Sequence, residues 1–545
     1  MYFKRNFFIF ALFLISFFLW QTWKKENFIR VNNLISKSYV SSIYPFLNKK
    51  NDQEIIIKTD VFLIVIDKYN GNIKIANLLK YKDKKNSLQN FKFLKTNSNF
   101  LYQVRNGFNK IDKNNEQILL KYQTKKNFYK LLPNHKKLIV PMICTLKNGI
   151  KYKKILIFYK GKYNIKIKNY IYNLTKKNIH LNMFGEIVQT INPVKNDIYD
   201  DLDNNSSRSY RGTAYSSDDE KFKKYDFNLI SSKKNLHKTI KSGWIAMLQK
   251  YFATAWIPSK NLGPNTIYTK NIDSKIAIIG YHTSNLLIPH NSLNCIESSL
   301  WIGPEIQKEM KLIAPNLDLT VDYGFLWFLS QPLFQLLNFL YKIFGNWGFS
   351  IILITIIIRI FTYPLNKSQY ISMIKLRSLQ PKLNYLKNKY KNNKTKMTEK
   401  ILALYKKEKI SPFSGLFPVF FQMPIFLSLY YMLTNSIELR DSPFIFWIQD
   451  LSSYDPFYIL PILMGITMFY IQRLSSQDIF SQNKCYKNSM DSLQEQIAFV
   501  VPMAFIIFFL WFPSGLVLYY IVNNLISIIQ QKHIYNNLKK NKNFL

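Results

Sequence analysis

Hydrophobic and polar positions divide this chain into two regions with different periods. After Lys4-Arg5, the run Asn6 to Trp23 is almost wholly apolar and is followed by no small-x-small cleavage pattern, while Trp20 and Trp23 sit where a headgroup region would favour aromatic rings. The pattern predicts a retained transmembrane anchor over 1–23 with its N-terminus in the cytoplasm. From Lys24 to about Asn346 short β-type runs dominate. Val61-Ile66 and Ile73-Ile75 flank Asn70-Gly71, Asn148-Gly149 marks a second hairpin, and Tyr163 to Lys168 alternates as a half-buried strand does. Repeated hairpins without intervening helices predict an external antiparallel β-sandwich over 24–320, with Asp197 to Glu220 as a long polar loop.

Near Val321 helical periodicity returns. Residues 321–346 have the length of a span, but Pro332, Gln335, Asn338 and Lys342 interrupt the apolar run, so the expectation is an amphipathic helix on the outer surface. A second span there would invert the topology that follows. Spans are predicted at about 347–363, 415–434, 457–471, 497–512 and 514–531. The last two come from 33 uncharged residues, Ile497 to Ile529, which as one helix would reach about 50 Å against a hydrocarbon core of about 30 Å. Phe512-Pro513-Ser514-Gly515 supplies the turn, and two short spans imply a locally thinned bilayer. Between the first two, 364–414 carries 13 Lys+Arg against two acids, the mark of a cytoplasmic segment. Met373, Leu376, Leu379, Leu383, Leu386 and Tyr390 form one apolar stripe and Ile401, Leu404 and Tyr405 another, which predicts a hairpin of two amphipathic helices. Six spans in all place the tail 536–545 in the cytoplasm.

Composition changes this picture little. The chain has 545 residues, 48% of them apolar, and a net charge of +43, a value that would suit a nucleic-acid binder. Lysine supplies 66 of the 75 cations, together with abundant Asn, Ile, Phe and Tyr, the mix that AT-rich codons favour. The segment 24–346 carries 51 cations against 23 acids, so most of the excess belongs to the external domain, and no sequence-specific nucleic-acid contact is expected. Cys144, Cys295 and Cys485 form no CxxC pair, no HExxH is present, and the glycines match neither the P-loop nor the GxSxG spacing. No cofactor, metal or enzymatic chemistry is signalled, and the spacings leave open whether Cys144 pairs with Cys295.

One charge lies inside a span. Arg359 sits among Ile351 to Phe361, where a lipid-facing guanidinium costs from about 2.5 to over 10 kcal/mol. Thr355 and Thr362, at i−4 and i+3, share its face, and Gln422 with the stripe Asn523, Ser527 and Gln530 could complete a polar cavity between helices. Two alternatives stand on spacing alone. Arg359 snorkels to the cytoplasmic interface five residues before Pro364, and the other polar groups make ordinary interhelical hydrogen bonds.

Several long motifs bear on this choice: Gly243-Trp244 through Ala255-Trp256-Ile257-Pro258, Leu300-Trp301-Ile302-Gly303-Pro304-Glu305, Val321-Asp322-Tyr323-Gly324, Phe421-Gln422-Met423-Pro424-Ile425-Phe426, Asp455-Pro456-Phe457-Tyr458-Ile459-Leu460-Pro461, and Phe509-Leu510-Trp511-Phe512-Pro513-Ser514-Gly515-Leu516. On these the chain resembles the YidC-type membrane protein insertases, in the Gram-negative form with a large periplasmic domain. The match is dense from about Trp244 to Tyr535 and weaker between about 30 and 200. The resemblance implies a multi-pass α-helical membrane protein of the bacterial inner membrane with an inserted β-supersandwich. Within it, a five-helix core over 347–535 would enclose a groove open to the cytoplasm and to lipid. It makes Arg359 the groove arginine, and it makes Met423, Phe426, Phe508 and Tyr520 an apolar slide for substrate.

The implied partners are nascent membrane proteins, the Sec translocon, the ribosome through the cytoplasmic hairpin, and membrane lipids. Hydrophobic transfer and the membrane potential would drive insertion. Two departures stand out: the loop Gln472 to Gln496 is longer than the family pattern, and the tail after Tyr535 is short, with Lys539, Lys540 and Lys542. A small-solute transporter or channel would also place an arginine in a polar cavity, and an external glycan-acting enzyme is a third reading.

Overall fold

The computed structural model describes residues 53–82, 89–97, 100–111, 117–192, 210–232, 234–259, 263–390, 393–408, 417–476 and 500–540. The expected anchor at 1–23 and most of the loop Gln472 to Gln496 lie outside them. The chain divides into two compact units, Met1–Thr320 and Val321–Leu545.

The first unit is built from two sheets. An eleven-stranded sheet runs His237–Ile240, Asn265–Ile272, Ile276–Thr283, Ile179–Thr190, Leu101–Lys110, Asn90–Thr96, Ile73–Lys82, Phe62–Asp67, Glu54–Lys58 and Phe128–Lys130, with Leu286–Ile288 also paired to Ile179–Thr190. The eight-stranded sheet runs Lys223–Tyr225, Gly212–Ser216, Trp244–Gln249, Phe252–Pro258, Ser292–Pro304, Asn164–Asn173, Ile150–Tyr159 and Lys137–Thr145. Pairing is antiparallel except where Glu54–Lys58 meets Phe128–Lys130. Aromatic side chains join the sheets: Phe91 stacks on Phe252 at 4.6 Å between ring centres, and the Tyr102 hydroxyl meets Thr254 Oγ1 at 2.8 Å. The domain is the antiparallel sandwich its alternation predicts.

Both expected hairpins form. Asn70 and Gly71 adopt φ of 60° and 64°, left-handed at the end of the loop that returns the chain, and Phe62–Asp67 pairs with Ile73–Lys82 across it. Gly149, at φ 87°, turns Lys137–Thr145 into Ile150–Tyr159. One expectation fails: within the polar stretch Asp197 to Glu220, Gly212–Ser216 is a fully buried strand paired with Trp244–Gln249. Its Gly-Thr-Ala-Tyr-Ser sequence lacks the branched alternation that announces a strand, and small side chains fit where sheets pack closely. Cys144 is buried and Cys295 exposed, and both are free thiols.

The second unit is helical. Two short helices of the sandwich, α1 (Phe227–Ser231) and α2 (Gln307–Ile313), precede α3 (Trp327–Phe344), α4 (Trp347–Phe361), α5 (Tyr363–Ser378), α6 (Gln380–Lys389) and α7 (Lys394–Lys407). After these come α8 (Phe417–Asn435), α9 (Ile459–Ser476), α10 (Val500–Phe509) and α11 (Ser514–Lys540). Gly345, left-handed at φ 67°, closes α3, and the Asn346 side chain accepts from Gly348 and Phe349 N–H to open α4. One core holds the unit: Leu337 of α3, Ile351 and Ile354 of α4, Leu429 and Met432 of α8, Leu460 and Met464 of α9, Phe509 of α10 and Leu516 of α11.

The basic hairpin is three helices rather than two. Pro381, with no N–H to donate, opens α6 and ends α5 at Ser378, which splits the stripe Met373 to Tyr390. The two stripes nevertheless meet: Leu379 and Leu383 are buried against Ile401, Leu404 and Tyr405. Among the described residues no single helix is long and apolar enough to cross a membrane. The pair Trp347–Phe361 and Tyr363–Ser372 passes together, bent by 61°. The helix that begins at Ser514 runs on to Lys540, beyond the expected span and into the expected tail, because no Gly or Pro follows Gly515.

Lys154 is the buried cation of the sandwich. At 1% exposure its Nζ donates to the Asn70 and Gly71 carbonyls (3.0 and 3.4 Å) and to Asn106 Oδ1 (2.5 Å), so it fastens the hairpin turn to the core. Burial pulls its pKa down from 10.5 to about 7. The unfolded lysine keeps its proton to above pH 10 and the folded one loses it near 7. Between those values the unfolded state therefore binds more protons and stability rises with pH; below 7 both states are protonated and this contribution is flat. In thermal unfolding of the full chain in detergent, followed by far-UV circular dichroism, the sandwich transition is expected to shift upward from pH 7 to 10. Lys154→Met should lose that slope and, by removing the donors of the neutral amine from buried acceptors, cost about 1–3 kcal/mol at pH 9.

Candidate functional site

Arg359 lies in the last turn of α4, directed into the helical unit at 5% exposure. Its Nε donates to Asn523 Oδ1 of α11 at 2.6 Å, and its backbone carbonyl accepts from Gln530 Nε2 at 3.2 Å. A guanidinium has five N–H donors, and Nε is the one a described side chain engages. Among the described residues no carboxylate pairs with Arg359: the charge is buried against an amide and remains uncompensated. Tyr370 of α5 and Tyr519 of α11 lie within electrostatic reach. The snorkelling alternative is not the geometry found.

The other expected groove residues divide. Asn523 and Ser527 are buried on the Arg359 side of α11, with Ser527 Oγ donating to the Asn523 carbonyl at 2.7 Å. Thr355 and Thr362 share the face of α4, but each hydroxyl donates to its own helix, to the Ile351 and Ile358 carbonyls at 2.6 and 2.9 Å. They line the site as satisfied groups. No hydrogen bond joins the half-buried Gln422 to this cluster among the described residues. Unnoticed in the sequence were Asn366 and Tyr370, both buried, which α5 brings to the C-terminal end of Arg359's helix; Asn366 Nδ2 reaches Thr362 Oγ1 at 3.4 Å. Their signal was weak because the 61° bend after Phe361 carries them back onto the bundle, and no periodicity encodes a bend.

The apolar positions form a second surface. Phe426 of α8 meets Tyr520 of α11 edge-on at 5.0 Å between ring centres, and Phe509 completes the cluster at 5.0 Å from Tyr520. Phe508 packs on Phe512 at 4.8 Å yet is half exposed, as is Met423. Phe426, Tyr520, Phe508 and Met423 thus run from the buried core of the unit to its surface between α8 and α10. No group of three His, Cys, Asp or Glu converges among the described residues. The arrangement offers a buried positive charge beside an apolar, partly exposed wall.

Two family models match the chain: the 60Kd inner membrane protein over residues 339–542 and the YidC periplasmic domain over residues 54–336. Together they define an inner-membrane protein that carries a periplasmic domain. Membrane protein insertase YidC of Buchnera aphidicola subsp. Acyrthosiphon pisum (strain 5A) is 52% identical over 546 residues, covering 99% of each chain. The protein of the same name from Buchnera aphidicola subsp. Baizongia pistaciae (strain Bp) is 49% identical, again over 99% of each. A crystal structure of an active YidC insertase with its first transmembrane domain resolved aligns at 17% identity and a TM-score of 0.37, covering 88% of this chain and 92% of that one. The chain belongs to the YidC family of membrane protein insertases, and its substrates are newly made membrane proteins.

Asn523→Leu removes the acceptor of a buried charge and is expected to cost about 1.5–3 kcal/mol, read as a lower denaturation midpoint by tryptophan fluorescence of the detergent-solubilised protein. Thr355→Val removes one neutral hydrogen bond to its own helix and should cost about 0.5–1.5 kcal/mol.

Proposed function

We propose that Arg359, Asn523 and Ser527 form the floor of a hydrated groove that receives the polar segment of a nascent membrane protein. The apolar segment slides into lipid beside Met423, Phe426, Phe508 and Tyr520. The observation that carries this reading is the buried guanidinium held by an amide. An ion pair would cancel its field, whereas an amide orients the side chain and leaves the positive charge to attract an acidic segment. Water around the terminal nitrogens lets that segment enter with little loss of hydration, and transfer of its apolar part at about 25 cal/mol per Å2 supplies the driving force. Thr355, Thr362 and Gln422 shape the groove wall without binding the charge. Because Asn366 and Tyr370 close over the cytoplasmic end of α4, α5 swings aside when substrate enters.

In this reading six segments cross the bilayer: the anchor at 1–23 and α4, α8, α9, α10 and α11, with both termini in the cytoplasm and α3 on the periplasmic surface. The uncharged run Ile497 to Ile529, broken at Pro513, leaves two short segments to cross, which supports a locally thinned bilayer at the groove. The basic hairpin α5 to α7 faces the cytoplasm, where it meets the ribosome and anionic lipid. The protein acts alone on small substrates and beside the Sec translocon on larger ones, as insertase and chaperone.

A charge about 10 Å from an acidic residue, at an effective dielectric of about 20, contributes roughly 1.7 kcal/mol. Arg359→Ala is therefore expected to slow insertion of an acidic-tailed two-span substrate into liposomes by roughly tenfold, while Arg359→Lys retains most activity and neutral-tailed substrates are little affected. Equal rates for wild type and both variants would sink the charge-attraction mechanism. Passage of a small solute without insertion would favour a transporter instead.

A further inference from the structure

The loop between α8 and α9 ends in an exposed aromatic residue held in a strained conformation. Phe446 is 86% exposed and has φ 53°, a left-handed conformation that a bulky side chain adopts only when its surroundings enforce it. The enforcing contacts are on both sides. Phe444 N–H donates to the Ile448 carbonyl at 2.9 Å, and Phe446 stacks on Trp447, whose Nε1 donates to Asp455 Oδ1 at 2.9 Å. Asp455, itself buried, also accepts from Phe457 and Leu460 N–H, so one carboxylate fixes both the aromatic arm and the start of α9.

The arm is also anchored at its base. Asn346 Nδ2 donates to the Phe444 carbonyl at 3.2 Å, and the Phe444 ring lies against Gly348, where any Cβ would collide with it. On the other flank, Ser514 N–H donates to the Ser453 carbonyl at 2.7 Å and its hydroxyl to the Asp450 carbonyl at 2.8 Å, which ties the loop to the Phe512-Pro513 turn. Trp511, 73% exposed, projects from that turn. A loop that faced only water would gain nothing from a rigid, strained phenylalanine at its tip.

We propose that Phe446 and Trp511 are paired anchors that seat the bundle in the headgroup–acyl boundary of the leaflet at the N-terminal end of α4. The occupant is lipid because exposed apolar residues lead from an inner-membrane helix to the arm. Phe349, in the first turn of α4, is exposed and meets Phe444 edge-on at 5.4 Å, and the exposed Ile445 and Phe446 follow Phe444 in the chain. Aromatic rings are favoured at that depth, and rigidly held ones fix how deep the bundle sits. This placement holds whether or not Arg359 binds substrate.

The test uses the full chain with Cys144, Cys295 and Cys485 replaced by Ser, carrying Phe446→Cys or Trp511→Cys labelled with an environment-sensitive fluorophore, in phosphatidylethanolamine–phosphatidylglycerol nanodiscs. Asp441→Cys on the same loop serves as the aqueous reference, and insertion activity verifies folding of each variant. Nitroxides near the headgroup should quench both anchor sites several-fold more than aqueous iodide does, with the order reversed at Asp441. Quenching by iodide alone at Phe446 and Trp511 overturns the proposal. So does protection from both quenchers, which would mean that protein covers the arm; dependence on protein density would then identify a second copy.

Discussion

A positive charge taken out of water must be met by something, and in the helical unit the answer to that constraint is one bond between Arg359 and Asn523. It decides which helices are neighbours: α4 and α11 must lie side by side, with Gln530, two turns beyond Asn523, donating to the Arg359 carbonyl. It also decides what the neighbouring hydroxyls do. Thr355 and Thr362 donate to their own backbone and therefore add no demand for partners to a region that already has one expensive group. The cohesion that holds the charge in place comes from the apolar cluster around it. Each fully buried Leu, Ile or Phe there contributes about 1.5–3 kcal/mol, and Ile351, Ile354, Leu516 and Phe509 are all essentially buried.

Much of this was legible in the chain because the constraints are local or chemically rare. An arginine within an isoleucine run is costly enough to demand an explanation, and Asn523 and Ser527 at a four-residue spacing on a later helix supplied one. Asn-Gly turns announced their hairpins because few residues tolerate positive φ. What stayed hidden depends on tertiary context. The strand Gly212–Ser216 is buried because it lies beside Trp244–Gln249, not because its own residues are apolar. Tyr370 and Asn366 reach the site through a bend that no period encodes.

Charge takes two forms in this protein. Most lysines of the sandwich sit at its surface, with aliphatic stems on the sheet and ammonium groups in water; Lys151 and Lys153 lie over Tyr172 and Tyr170 in this way. These side chains raise the net charge from positions at the surface, as a compositional bias would. Lys154 and Arg359 are the opposite case. Each is buried, each is held by neutral oxygen acceptors, and neither has a carboxylate among the described residues. Lys154 can relieve its burial by giving up a proton, because an amine titrates within reach of neutral pH. A guanidinium has no such escape, since its ordinary pKa exceeds 12.

That difference separates the two buried cations. A lysine at position 359 would carry the same charge as one compact ammonium on a group that can titrate. Arginine keeps the charge fixed, and the stability this costs is met by packing elsewhere in the unit. The Pro513 turn contributes to that packing: with Ser514 and Gly515 bonded to the Ser453 and Leu451 carbonyls, α10 and α11 are joined to the loop that begins α9. The same hydrogen bonds that brace α11 against α9 therefore carry Asn523 to Arg359. A change at the turn, far from the charge, would be felt at Arg359 as a displaced amide.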